Sequence, residues 1–217
     1  MRKTTTLLSS SIILMLTASC VTYKTPTLEN NYKFSKEDKK GLLAYSSNYV
    51  THNAVVVITP LDLENKKLGK SITLGSGLGA TYSVGNRDNP EFRLAKVPPG
   101  IYGWTSLYRS GYSSFNYYNY CRGTIAFEVE AGKVNMVIAK RQNVPDPAAL
   151  DRLSNLLKPY PKVTAEIKAA RVPFAIKFDQ ASNGGEVCQK IRTNNVPYIT
   201  FPWASFVDNS KHGETLD

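Results

Sequence analysis

From Phe92 to Ala139 the chain alternates apolar and polar positions with a period of two. Phe92, Leu94 and Lys96 alternate with Arg93 and Ala95, and Tyr102, Trp104 and Ser106 share one face. Ile125, Phe127 and Val129 point one way while Thr124, Glu128 and Glu130 carry polar character, and Val134, Met136 and Ile138 form a last stripe. Pro98-Pro99-Gly100 and Ala131-Gly132-Lys133 interrupt the pattern. Alternation broken by Pro and Gly predicts half-buried antiparallel strands on either side of each turn.

The same reasoning extends in both directions. Leu42 to Tyr45 predicts a first strand, the continuous β-branched run from Ala54 to Thr59 a central strand buried on both faces, and Lys70 to Leu74 a third. Asp146 before Pro147 predicts a helix start, because a carboxylate caps free amides and proline suits the first helical position. Leu150, Leu153, Leu156 and Leu157 then form one apolar stripe that Pro159 and Pro161 end. Val163, Ile167 and Ala170 suggest a second short helix, and Val172 to Phe178 one more strand, which Pro173 places near an edge. The expected fold class is mainly β: an antiparallel two-sheet sandwich of about seven or eight strands, with one or two C-terminal helices packed on it. Val97-Pro98-Pro99-Gly100-Ile101-Tyr102 and Val129-Glu130-Ala131-Gly132-Lys133 resemble the turns of transthyretin-like or carboxypeptidase-regulatory-like modules found in envelope lipoproteins. That resemblance implies a fold and no activity.

The N-terminus carries an address. Arg2 and Lys3 precede the apolar run Leu7 to Leu16, which is shorter than the ~20 residues that span a bilayer. Leu16-Thr17-Ala18-Ser19-Cys20 resembles the lipobox of bacterial lipoproteins, which implies cleavage before Cys20 and acylation of its thiol and new amine. Two or more acyl chains anchor a protein stably where one does not. Val21, rather than an aspartate, implies by resemblance the outer membrane, with the body facing the periplasm. The expected organisation is a signal peptide over 1–19, a lipidated polar tether over 20–40, a β-sandwich domain over 41–140, a helical appendage and edge strand over 141–179, and a C-terminal tail over 180–217. In that tail Val196 to Trp203 is an apolar, proline-rich piece suited to docking on the sandwich or to a partner.

Charge changes the picture little. The formal net charge of +10 falls to +8 once Arg2 and Lys3 leave with the signal peptide. That balance suits an anionic membrane surface or acidic polymers, and equally a solvated surface. The basic residues are scattered and no nucleic-acid motif accompanies them, so no nucleic-acid partner is expected.

The candidate contact surface is a tyrosine-rich loop over 108–120. Tyr108, Tyr112, Phe115, Tyr117, Tyr118 and Tyr120 stand among Ser, Gly and Asn, with Arg109 and Arg122 flanking them. Tyrosine supplies contact area at low entropy cost, and Ser and Asn adapt their hydrogen bonds. A glycan, a peptidoglycan strand or a protein could stack there, or the rings could cover their own sheet. Once Cys20 is lipidated, Cys121 and Cys188 remain as an even pair, which in an exported domain predicts a disulfide; two free thiols are the alternative.

Catalytic signals are missing. Gly75, Gly77 and Gly79 of LGSGLGA lack the lysine and following helix of a phosphate loop and read as an inter-strand loop. His52 and His212, the two histidines, lie far apart with no acidic or cysteine neighbours at metal spacing, so no metal and no cofactor are expected. Asp62 and Glu64 fit a turn between strands, and no GxSxG elbow is present. The expectation is a non-enzymatic, lipid-anchored envelope protein that contacts other envelope proteins or cell-wall polymer. The alternatives are glycan or small-ligand binding through the tyrosine loop, and an envelope hydrolase assembled from distant carboxylates.

Overall fold

The structure is a computed structural model that describes residues 26–46, 54–75, 81–85, 90–110, 115–137, 147–179, 188–190, 196–204 and 213–215. It is mainly β, with two packed sheets and one helix. The first sheet has five strands in the order β10-β9-β1-β6-β5. These are β1 (Gly41–Ser46), β5 (Thr81–Gly85), β6 (Pro90–Val97), β9 (Lys133–Val137) and β10 (Glu166–Ala169). The second sheet has nine strands. Its main path runs β13 (Tyr198–Phe201), β11 (Ala175–Phe178), β8 (Phe115–Val129), β7 (Gly100–Ser110), β2 (Ala54–Asp62), β4 (Ser71–Gly75) and β14 (Gly213–Thr215). Two short strands lie off that path: β12 (Cys188–Lys190) pairs with β8, and β3 (Lys67–Leu68) pairs with β2.

The two turns that break the alternating pattern do more than reverse the chain. Pro98-Pro99 carries it from β6 in the first sheet to β7 in the second, and 130–132 carries it back from β8 to β9. Strands flanking these turns therefore face each other across the core instead of pairing. Val97 and Tyr102, on either side of the first turn, both enter the inter-sheet core, with Leu43, Tyr45, Val56, Ile58, Trp104, Ile125, Phe127 and Val129. An apolar inner face on each strand is satisfied by this arrangement as well as by a hairpin. Having crossed sheets, β9 lies parallel to β1, and β10 lies parallel to β9. The first sheet is thus mixed where an antiparallel one was expected.

The half-buried expectation fails for the first sheet, because its outer face is also covered. Leu42, Ala44, Phe92, Leu94, Val134 and Met136 form a second core with the helix and with residues 28–34. Helix α1 (Pro147–Leu157) begins at the predicted proline and buries Ala149, Leu153 and Leu157 against this face. The second helix expected around Val163 to Ala170 is instead strand β10. A helix there would forfeit the ladder to β9 and the pairing of Lys168 with Glu130 (2.6 Å).

Residues 26–40 are likewise not a free tether. Leu28 and Phe34 are buried, the Phe34 amide donates to the Lys162 carbonyl (3.1 Å), and the Thr164 amide donates to the Phe34 carbonyl (2.9 Å). The segment is a strap across the first sheet. Its sequence looks polar because only its few inward residues are apolar. Gly132, at φ 63°, lets the strap pass: a Cβ there would stand 2.2 Å from the Lys36 carbonyl oxygen.

The C-terminal tail also joins the body. β13 pairs in parallel with β11, and β11 pairs with β8, so the strand carrying Pro173 upstream is internal and not an edge. Phe174, Ile176, Phe178 and Phe201 make a third core on the outer face of the second sheet, with Trp203 against Phe178.

Candidate functional site

The segment 108–120, read in the sequence as a loop, is mostly strand. β7 and β8 pair through Leu107 opposite Tyr118, Tyr108 opposite Tyr117, Arg109 opposite Asn116 and Ser110 opposite Phe115. Tyrosine and phenylalanine favour strands, so the aromatic content that suggested a binding loop also extends the ladder. Tyr108, Phe115, Tyr117 and Tyr118 are described through their backbone, and Tyr112 lies outside the described residues. Tyr117 and Tyr118, being consecutive in a strand, occupy opposite-face register positions. Tyr120 is half-buried and packs against the inter-sheet core.

The base of this hairpin is irregular. Gly103 pairs with Ala126 and Ser106 with Asn119, so six residues of β8 lie between the two pairs where β7 has two. The excess is a bulge in β8, and bulges re-aim side chains and end pairing. Within it, Tyr102 and Trp104 face the inter-sheet core but Leu107, not Ser106, is the next to do so. Ser106 instead donates to the side chain of Asn119 (2.7 Å), and Thr124 donates to the Trp104 carbonyl. The displaced part of β8 receives two additional strands: β11 at Thr124 and Ile125, and β12 at Asn119 and Gly123.

Cys121 lies in that bulge, fully buried. Cys188 begins β12 opposite Asn119, two residues from Cys121 along β8. Cys20, His52 and His212 lie outside the described residues. Asp62 serves the turn before β3: its carboxylate accepts from the Asn65 amide (3.0 Å) and side chain (2.8 Å), and these bonds hold it below the usual carboxylate range. Among the described residues no three metal-capable side chains cluster, and no helix is long and apolar enough to cross a membrane.

Sequence pattern gave no warning of the polar group inside the sandwich. Arg93 alternates with the apolar Phe92 and Leu94, yet it is 1% exposed. It stands in register with Tyr45 on β1 and Ser83 on β5, so all three point toward the second sheet. Burial pulls the Arg93 guanidinium below its ordinary range, and Tyr45 opposes that pull. Burial pushes the Tyr45 hydroxyl up to about 12, against the pull of the Arg93 charge. Tyr45 meets Trp104 edge-on, with ring centroids 5.9 Å apart. A guanidinium this enclosed does not meet a ligand from solvent.

Family models, curated proteins and solved structures were compared with the chain, and none matches it.

Proposed function

We propose that this protein is a non-enzymatic bacterial envelope lipoprotein, anchored in the outer membrane through Cys20 and presenting its sandwich to the periplasm for contacts with envelope proteins or cell-wall polymer. The observation that carries this reading is the run Leu16-Thr17-Ala18-Ser19-Cys20 behind a short apolar segment. Resemblance to transthyretin-like modules agrees with a sandwich that serves as a scaffold. We further propose a Cys121–Cys188 disulfide, supported by the pairing of β12 with β8, which sets Cys188 opposite Asn119 and two residues along the strand from buried Cys121. Such a bond belongs in an oxidising compartment. The test is metabolic labelling with a fatty-acid probe: the wild type takes the label into the membrane fraction and Cys20→Ser does not. A mature protein that begins at another residue and carries no acyl group refutes the reading.

A second reading, glycan or small-ligand binding, is favoured by the long pairing of β7 with β8, which extends to Ser110 opposite Phe115. Tyr117→Ala with Tyr118→Ala then weakens recovery of polymer or protein from envelope extracts. Unchanged recovery removes the hairpin from consideration.

A further inference from the structure

The chain joins the sandwich at Pro26. Its carbonyl accepts from the Ser83 amide (2.8 Å), and the Leu28 amide donates to the Ser83 carbonyl (3.1 Å). Buried Leu28 and Phe34 then hold the strap on the first sheet, so Pro26 is as fixed as β5 itself. Cys20 lies six residues before it. Six residues at full extension reach at most about 20 Å. A domain of this length is roughly 40 Å across. A lipid on Cys20 therefore cannot leave the body free to turn. The polar stretch that resembled a long spacer is mostly consumed by the fold.

We propose that the edge formed by β5 and the strap residues 29–33 is a membrane-docking face that lies on an anionic lipid surface. This rests on the lipidation of Cys20. β4 and β5 are joined by 76–80, so the β5 and β14 edges lie on one side of the sandwich; β10 and β11 are joined by 170–174, so β10 and β13 lie on the other. The first side faces the headgroups and the second faces away. Exposed Lys33 on the strap carries charge suited to anionic headgroups and exposed Glu29 opposes it, while the sequence of the link adds a second cation, Lys24. Tyr23 in the link has the amphipathic ring that favours a membrane interface. Attraction between a chain of net positive charge and anionic headgroups is short-ranged, so it acts on a body held this close and would fade on a long tether. Partners of this protein then meet it at the membrane surface, on the β10–β13 side.

The test uses the full lipidated chain in vesicles of phosphatidylethanolamine and phosphatidylglycerol that carry a headgroup nitroxide. A fluorophore is placed at Asn31→Cys on the strap or at Lys177→Cys on β11, both exposed positions. The strap probe is expected to be quenched several-fold more than the β11 probe. Insertion of a flexible linker of about 20 Gly and Ser residues between Tyr23 and Lys24 should bring the two probes level. Equal quenching without the insertion, or stronger quenching at Lys177→Cys, overturns the docking face. Mass spectrometry of the same preparation reads acylation of Cys20 separately. An unacylated chain sinks the lipoprotein reading, whereas an acylated chain with equal quenching sinks the orientation alone.

Discussion

Replacing Phe34 with alanine tests whether residues 26–40 are structure or spacer. The Phe34 ring is 0% exposed and packs in the core shared by the first sheet and α1. Its backbone is bonded on both sides to residues 162 and 164, so the strap cannot close the gap without breaking a ladder. The Lys96 ammonium lies 5.3 Å from the centroid of this ring and of Tyr32, and pairs with Asp38 at 3.3 Å. Burying and then deleting a phenyl ring costs about 3–5 kcal/mol, of which the cation–ring contact supplies about 0.5–1 kcal/mol. A domain of this size holds only about 5–15 kcal/mol in total, so Phe34→Ala should remove roughly a fifth or more of the stability. Urea unfolding of Cys20→Ser protein with and without Phe34→Ala, followed by tryptophan fluorescence, measures the difference. Trp104 in the core and Trp203 against Phe178 report on different parts of the body. Asn31→Ala, on the exposed turn of the same segment, should change stability by no more than about 0.5 kcal/mol. A loss below about 1 kcal/mol for Phe34→Ala would mean that the strap is a tether after all, and the docking face would lose its basis with it.

Three further outcomes are expected. Gly132→Ala should destabilise by about 1–3 kcal/mol, because φ 63° disfavours a side chain and the added Cβ meets the Lys36 carbonyl; a neutral result in the same urea assay contradicts the strap's path. Stability should fall as pH rises above about 10. Burial raises the hydroxyls of Tyr45 and Tyr102 from 10.0 to about 12 and also raises that of Tyr32, so the unfolded chain releases these protons first; stability is full below pH 10 and is lost toward 12, and Tyr102→Phe should flatten the decline seen in melting temperature. Cys188→Ser should cost about 4 kcal/mol if the proposed disulfide closes its 67-residue loop, measured by urea unfolding without reductant; no change would leave both cysteines as thiols.

Local order was legible wherever one residue decides its own neighbourhood. Period-two alternation located the strands from Phe92 to Val137, the Asp146-Pro147 pair marked the start of α1, and the aspartate at 62 was read as part of a turn. The candidate contact segment was legible in place and length but not in form. Its tyrosines suited a binding loop and a strand equally, and only the facing residues of β7 resolve that ambiguity.

The chain by itself determined that strands dominate, where one helix begins, and that a cysteine follows an apolar N-terminal run. It also held the alternation that gives each strand an apolar face. Tertiary structure decided what each face meets, because burial is a property of the partner and not of the residue. That is why Arg93 is enclosed, why Val163 to Ala170 pairs with β9 instead of coiling, and why a polar-looking stretch from Pro26 to Lys40 is part of the body. It also decided that two turns cross between sheets. A turn's own residues fix the reversal of the chain, while hydrogen bonding to distant strands fixes the sheet it enters.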